Sequence, residues 1–438
     1  MRNGFIFKHD RCVGCNACRA ACSLENRGTV HLRNIFTYNI GSENFSPVIN
    51  LSMACNHCES AICMKGCPAS VFSRDKATGA IILNEKKCIG CKYCQWNCPY
   101  DAPKFDILKK TIAKCNLCYT GLKEGRKPAC STACPTGALS FGELNVSESK
   151  TAFRWFPDKQ LVPALQFIAN GNDVPLKIIP LNKGKQVVKQ NRNDKNIKGE
   201  LSLVIFSFLT TLSVALVLSS FIKGIYPEKY TFLVMLATAG TCSLFHLGKK
   251  LRSWRALTNL KTSPLSREIA AFILYSALST SALFLQLPSL LISSALTGLL
   301  LLLLLDSVYI YADKSRSVVL HSGQTFLSAL TIASFLSGSI LPFAFTFIIK
   351  LGLTAYRHIF IKPDFSESSV RFLRIALLVV PGLSLLLLNS NPGISIIFIF
   401  LTGEFIDRIL FYYDFNPLNI NSLIKEHLKR ERDEKEKY

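Results

Sequence analysis

The apolar pattern divides the chain near residue 200. Residues 201–222 carry no charged side chain and are long enough for one spanning helix, which needs roughly 20 apolar residues. Residues 230–248 predict a second. The uncharged run 269–305 is interrupted at Pro288 and predicts two more. The run 317–349, with Gly338 and Pro342, predicts two when it is joined to 351–361. The run 375–403 breaks at Asn389–Gly393 and fits two if they extend across flanking charges, giving eight in all. Buried helices of a soluble protein are the alternative. Eight such segments would leave too little polar surface for a soluble fold. Residues 149–198 have ten lysines and arginines against three acids, four prolines and no sustained helical period. They predict an extended segment over the preceding domain and then a basic tether near anionic headgroups.

Charge adds a direction. The chain has 51 basic and 29 acidic residues. This balance could serve nucleic acid, but no aromatic–basic platform is visible, and the basic residues fall mostly between apolar runs. With eight spans both ends lie on one side. Loops on that side carry Lys249, Lys250, Arg252, Arg255, Lys261, Arg267, Lys314, Arg316, Lys350, Arg357, Lys362, Arg371 and Arg374. Opposite loops carry Lys223 and Lys229. Thirteen against two predicts cytoplasmic termini and a multi-pass protein of a bacterial inner membrane. The start shows no apolar signal core and no twin arginine.

Cysteine supplies the chemistry. Sixteen of 17 cysteines lie between Cys12 and Cys134, and Cys242, in an apolar run, reads as packing. They form four motifs: Cys12, Cys15, Cys18, Cys22; Cys55, Cys58, Cys63, Cys67; Cys88, Cys91, Cys94, Cys98; and Cys115, Cys118, Cys130, Cys134. The first and third follow the ferredoxin run C-x2-C-x2-C-x3-C, and proline follows the last cysteine of motifs two to four. Three thiolates on a tight loop wrap three corners of a cubane, and the fourth reaches a second cluster. Motifs therefore work in pairs, and four motifs make four 4Fe–4S clusters. Zinc is the competing reading, since C-x2-C pairs often bind it. Zinc has no need of a fourth cysteine, set off from the third by three intervening residues, in every motif. Disulfides of a secreted protein fit neither the spacing nor the start.

The stretches NGFIFKHDRCVGCNACRAAC, CNHCESAICMKGCP, KCIGCKYCQWNCPYDAPKF and KCNLCYTGLKEGRKPACSTACPTGALSFG resemble the four-cluster subunit of the dimethyl sulfoxide reductase family of molybdoenzymes. The resemblance implies that motif one pairs with four and two with three. The first cluster then takes Cys12, Cys15, Cys18 and Cys134; the second takes Cys22, Cys115, Cys118 and Cys130. The third takes Cys55, Cys58, Cys63 and Cys98; the fourth takes Cys67, Cys88, Cys91 and Cys94. Ser243–Ile269 and Gly403–Asp414 resemble the membrane anchor of the same family, in which residues matching His246 and Glu268 serve menaquinol oxidation. Family members generally keep the iron–sulfur side outside, whereas the charge pattern here predicts inside. Only His246, His321 and His358 lie in the membrane half, each near a helix end, so no haem is expected.

The expected fold is an α+β ferredoxin-like domain of two paired dicluster modules, followed by an all-α eight-helix transmembrane bundle. Its segments are 1–148 for the clusters, 149–198 linker, 199–414 anchor with quinol site, and 415–438 charged tail, helical from Asn421. Glu404 and Arg408, one turn apart, are expected to form a structural ion pair. The expected function is menaquinol oxidation with electron delivery to a separate molybdopterin-containing catalytic subunit. The reverse flow, from a partner such as formate dehydrogenase to quinone, and a zinc-stabilised membrane sensor are the alternatives. The terminal acceptor, whether dimethyl sulfoxide, another S- or N-oxide, nitrate or a sulfur oxyanion, stays open.

Overall fold

The computed structural model describes residues 2–39, 48–144, 156, 161–168, 197–312, 324–360, 365–388, 393–415 and 420. It divides into two compact units, Met1–Gln190 with Pro417–Tyr438, and Asn191–Asn416. The linker beyond residue 168, most of the loop holding His321, and the tail from Asn421 lie outside the described residues.

The first unit is built from short hairpins strung between the cysteine motifs. Strand β1 (Arg2–Lys8) alternates, turning Phe5 and Phe7 inward. After it come α1 (Ala17–Asn26), β2 (Asn34–Asn39), β3 (Val48–Met53), α2 (Ile62–Lys65), β4 (Phe72–Arg74) and β5 (Ile81–Leu83). Then follow α3 (Tyr93–Trp96), β6 (Lys104–Asp106), β7 (Thr111–Ala113), α4 (Tyr119–Lys123), α5 (Ala129–Thr132), β8 (Leu139–Leu144) and β9 (Leu165–Ile168). The antiparallel pairs β2–β3, β4–β5 and β6–β7 each bridge two successive motifs. The remaining sheet has the order β8–β1–β9. Antiparallel pairing of β1 with β8 matches Phe7 to Leu139, so the strand leading into motif one lies beside the strand leaving motif four. Parallel β9 adds Phe167, whose ring meets Phe7 edge-on at 6.1 Å.

The second unit is helical: α6 (Ile197–Lys223), α7 (Lys229–Phe245), α8 (Pro264–Leu285), α9 (Pro288–Ala312), α10 (Gln324–Ser337), α11 (Ile340–Phe360), α12 (Phe365–Leu388) and α13 (Ile394–Asp414). Ser263 caps α8 through the Ser266 amide, and Pro264 occupies its first turn, where a missing N–H costs nothing. The break between α10 and α11 falls at Gly338, at φ +65°, rather than at Pro342, which sits harmlessly in the first turn of α11. Among the described residues, four helices are long and apolar enough to cross a membrane: Glu200–Lys223, Pro264–Leu285, Pro288–Ala312 and Ser369–Leu387. A fifth span results if α7 and the 3-10 helix Lys250–Leu257, bent by 102°, count as one. The aromatic core stacks Phe335 on Phe400 at 4.2 Å and Phe343 on Phe347 at 5.2 Å.

Candidate functional site

The four cysteine loops share one backbone device. Two residues after the first cysteine of each motif, the chain enters the left-handed region: Gly14 at φ +72°, His57 at +43°, Gly90 at +71° and Leu117 at +63°. Such a turn curls successive amides toward one centre, a concavity suited to anionic sulfur. Accordingly, the amides of Gly90 and Leu117 each reach the sulfur of the first cysteine in their own motif, Cys88 and Cys115, at 3.4 Å. The third cysteine, Cys18, Cys63, Cys94 or Cys130, is always the second residue of a helix. A helix start favours thiolate. The fourth cysteine comes one turn later. In motifs two to four the following proline ends the turn.

The cysteines gather across motifs. Cys12 has Cys18, Cys134 and Cys15 as charged neighbours. Cys22 has Cys130 and Cys118, and Cys115 has Cys22 and Cys130. Cys98 has Cys63, Cys55 and Cys58, and these four line a common cavity. Cys94 has Cys67, Cys91 and Cys88. The four quartets form a row: Cys18 neighbours Cys22, Cys115 neighbours Cys55, and Cys63 neighbours Cys67. Among the described residues no three ligand side chains converge as a single ion would require. A cubane, which takes each thiolate on a different iron, does not ask for that, so the quartets fit 4Fe–4S clusters.

Two buried cations stand among these thiols, and the motif pattern had not singled them out. Arg33 donates to the carbonyl and hydroxyl of Ser52 at 3.3 and 3.0 Å, and the Ser52 hydroxyl lies 3.3 Å from the Cys18 sulfur. Lys114 donates to the carbonyls of Ile81 and Cys115. Burial, with repulsion from Cys130, pushes the Cys22 thiol up to about 11, and Arg33 opposes this. Burial, with repulsion from Cys55, pushes Cys63 up to about 12, and Lys114 opposes this. Lys114 could have been suspected from its place just before Cys115. Nothing in the pattern marks Arg33.

In the helical unit, polar side chains collect toward one end of the bundle. His246, half-buried, is the C-cap of α7. The 3-10 helix Lys250–Leu257 packs against both α7 and α8. Glu268, in the second turn of α8, is buried and has no ion-pair partner among the described residues. Asp306 of α9 is a charged neighbour. Asp306 lies 3.9 Å from Arg408 of α13. The hydroxyls of Tyr309 and Tyr412 meet at 2.6 Å, and Tyr412 also donates to the Leu203 carbonyl of α6. Asp306 follows seven consecutive leucines, and a lone acid in such a run is the signal that could have found it.

Two expectations are corrected. Glu404 pairs with Lys350 of α11, and Arg408 with Asp306, rather than with each other. Neighbouring helices offer partners across the bundle core that one helix face cannot know. Lys350, Arg371 and Arg374 are also buried within helices, with Arg374 held to Asp407 at 3.0 Å, so they are not loop charges. Ten basic residues then remain on the first side of the count. The side chain of His358 lies outside the described residues.

Residues 47–144 match the 4Fe-4S dicluster domain, and residues 198–361 match the DMSO reductase anchor subunit (DmsC). The B subunit of the anaerobic dimethyl sulfoxide reductase of Haemophilus influenzae is 39% identical over 158 residues, 34% of this chain and 77% of the relative. The chain belongs to the dimethyl sulfoxide reductase family of electron-transfer and anchor subunits. The corresponding B subunit of Escherichia coli K12 is 36% identical over 157 residues, 34% of this chain and 76% of its own length. The thiosulfate reductase electron transfer subunit of Salmonella typhi is 33% identical over 168 residues, 37% of this chain and 85% of its own. This family member therefore carries iron–sulfur part and anchor in one membrane-integral polypeptide.

Proposed function

We propose that this chain oxidises menaquinol and delivers the electrons to a separate molybdopterin-containing reductase subunit. The row of four cysteine quartets, fused to an anchor in one polypeptide, carries the reading. Cys12, Cys15, Cys18 and Cys134 hold the first cluster; Cys22, Cys115, Cys118 and Cys130 the second. Cys55, Cys58, Cys63 and Cys98 hold the third; Cys67, Cys88, Cys91 and Cys94 the fourth. Four 4Fe–4S clusters held there supply one-electron carriage along the row. Residues 1–148 form the cluster domain and 199–414 the anchor, whose eight helices all serve as membrane segments.

Quinol binds where α7 ends and α8 begins. Glu268 is a buried carboxyl with no cation paired to it among the described residues, which suits it to take the hydroxyl proton of quinol. His246, at the cap of α7, holds the other hydroxyl. The bundle needs no haem, because quinol gives its electrons directly to the nearest cluster.

Two measurements test this. Anaerobically purified protein should contain about sixteen iron atoms per chain, and fewer than about twelve with stoichiometric zinc would overturn the quartets. Menaquinol should bleach the visible absorbance. His246→Ala and Glu268→Gln should each slow that bleaching by roughly 100-fold, while dithionite still bleaches fully. Unchanged rates in both variants would remove the quinol assignment.

A further inference from the structure

Arg33 and Lys114 are buried charges. Arg33 is 2% exposed and Lys114 6% exposed. Among the described residues neither has a carboxylate partner. Their donors go instead to Ser52, and to the carbonyls of Ile81 and Cys115. Arg33 also lies over the Phe5 ring at 4.7 Å, a favourable contact that brings no net negative charge. A buried cation is costly unless something negative faces it. What faces Arg33 is thiol sulfur: Cys18 of the first quartet, and Cys22, Cys115 and Cys130 of the second. What faces Lys114 is Cys115 of the second quartet and Cys63 of the third. Lys114 also lines the cavity shared by Cys55, Cys58, Cys63 and Cys98. Each cation therefore stands at a junction between successive quartets.

We propose that Arg33 sets the potentials of the first and second clusters, and Lys114 those of the second and third, as fixed counter-charges at two junctions of the electron path. The proposal rests on the quartet reading above. A cluster held by four thiolates is net negative, and reduction adds one more negative charge. A fixed cation nearby stabilises the reduced state more than the oxidised one and raises the midpoint potential. The charge is permanent at Arg33, since a guanidinium does not lose its proton in a protein. The effect is local, because the low-dielectric interior screens little at short range and the quartets that do not border a junction lie further off.

The test is an anaerobic redox titration of the full chain in membranes, followed by electron paramagnetic resonance. The variants are Arg33→Met, Lys114→Met, Arg33→Lys and Lys114→Arg. In Arg33→Met two of four midpoints should fall. In Lys114→Met two should fall, one of them shared with the Arg33→Met pair, and the fourth centre should hold still in both. Arg33→Lys and Lys114→Arg keep the charge and should stay near the unmutated values. Midpoints unmoved in both methionine variants, or all four moved together, overturn the assignment while leaving the quartets intact. Displacement in Arg33→Lys as large as in Arg33→Met shows that packing on Phe5 and Ser52 matters rather than charge, and also overturns it. If Arg33→Met loses clusters on purification, Lys114→Met still decides. Fewer than four centres in the unmutated chain would instead defeat the quartet reading itself.

Discussion

Gly14 shows how closely the cysteine loops are built. A methyl group there would meet Asn50 Oδ1 at 2.8 Å, while the backbone sits at φ +72°. Asn50 is already engaged: its amide donates to the Cys12 carbonyl at 3.0 Å, and its oxygen accepts from Thr37 at 2.8 Å. Gly14→Ala therefore combines about 1–2 kcal/mol of left-handed strain with the loss of that clamp. Gly79, at φ +72° with nothing within 4 Å of its added carbon, bears only the strain. Gly14→Ala should lower the unfolding temperature more than Gly79→Ala and reduce iron content, measured by thermal melting and metal analysis. Equal effects of the two would show that Asn50 does not matter. At this scale the sequence was half legible. CVGC and CIGC advertise a turn, but CNHC and CNLC place His57 and Leu117 in the same conformation, which side-chain identity does not announce.

Among the elements, helix positions were readable because apolar runs of that length have few other uses. What one helix offers the next was not. Lys350 looked like a loop charge, yet its ammonium pairs with Glu404 and donates to Ser328 at 2.7 Å with 1% of the residue exposed. Pairing between α11 and α13 depends on which faces meet, and no single-helix periodicity contains that. Removing one partner of such a pair leaves a buried lone charge and costs about 3–5 kcal/mol. Lys350→Met should therefore destabilise the detergent-solubilised protein strongly, read as its thermal unfolding midpoint. Lys350→Met with Glu404→Leu should recover most of the loss, because an apolar pair there is close to neutral. A double variant no better than the single would show that the ion pair itself is required.

For the whole molecule, the remaining ten-to-two bias of basic residues favours cytoplasmic termini. Cysteine-labelling of a probe placed after Asn421 should then need broken cells, and labelling of intact spheroplasts would reverse the orientation. On the cytoplasmic reading, quinol oxidation and acceptor reduction release and consume protons on one side. Turnover in sealed vesicles should therefore build no membrane potential. The order of synthesis adds a constraint drawn from the strand pairing of β1 with β8. Both strands of this pair must exist before the first motif can meet the fourth, so the earliest cysteines to leave the ribosome wait for nearly the latest. Motifs two and three lie between these in the chain, and their pairing waits for neither. Cys12, Cys15 and Cys18 thus spend the longest time as open thiols, and oxidative damage during biogenesis should concentrate on them.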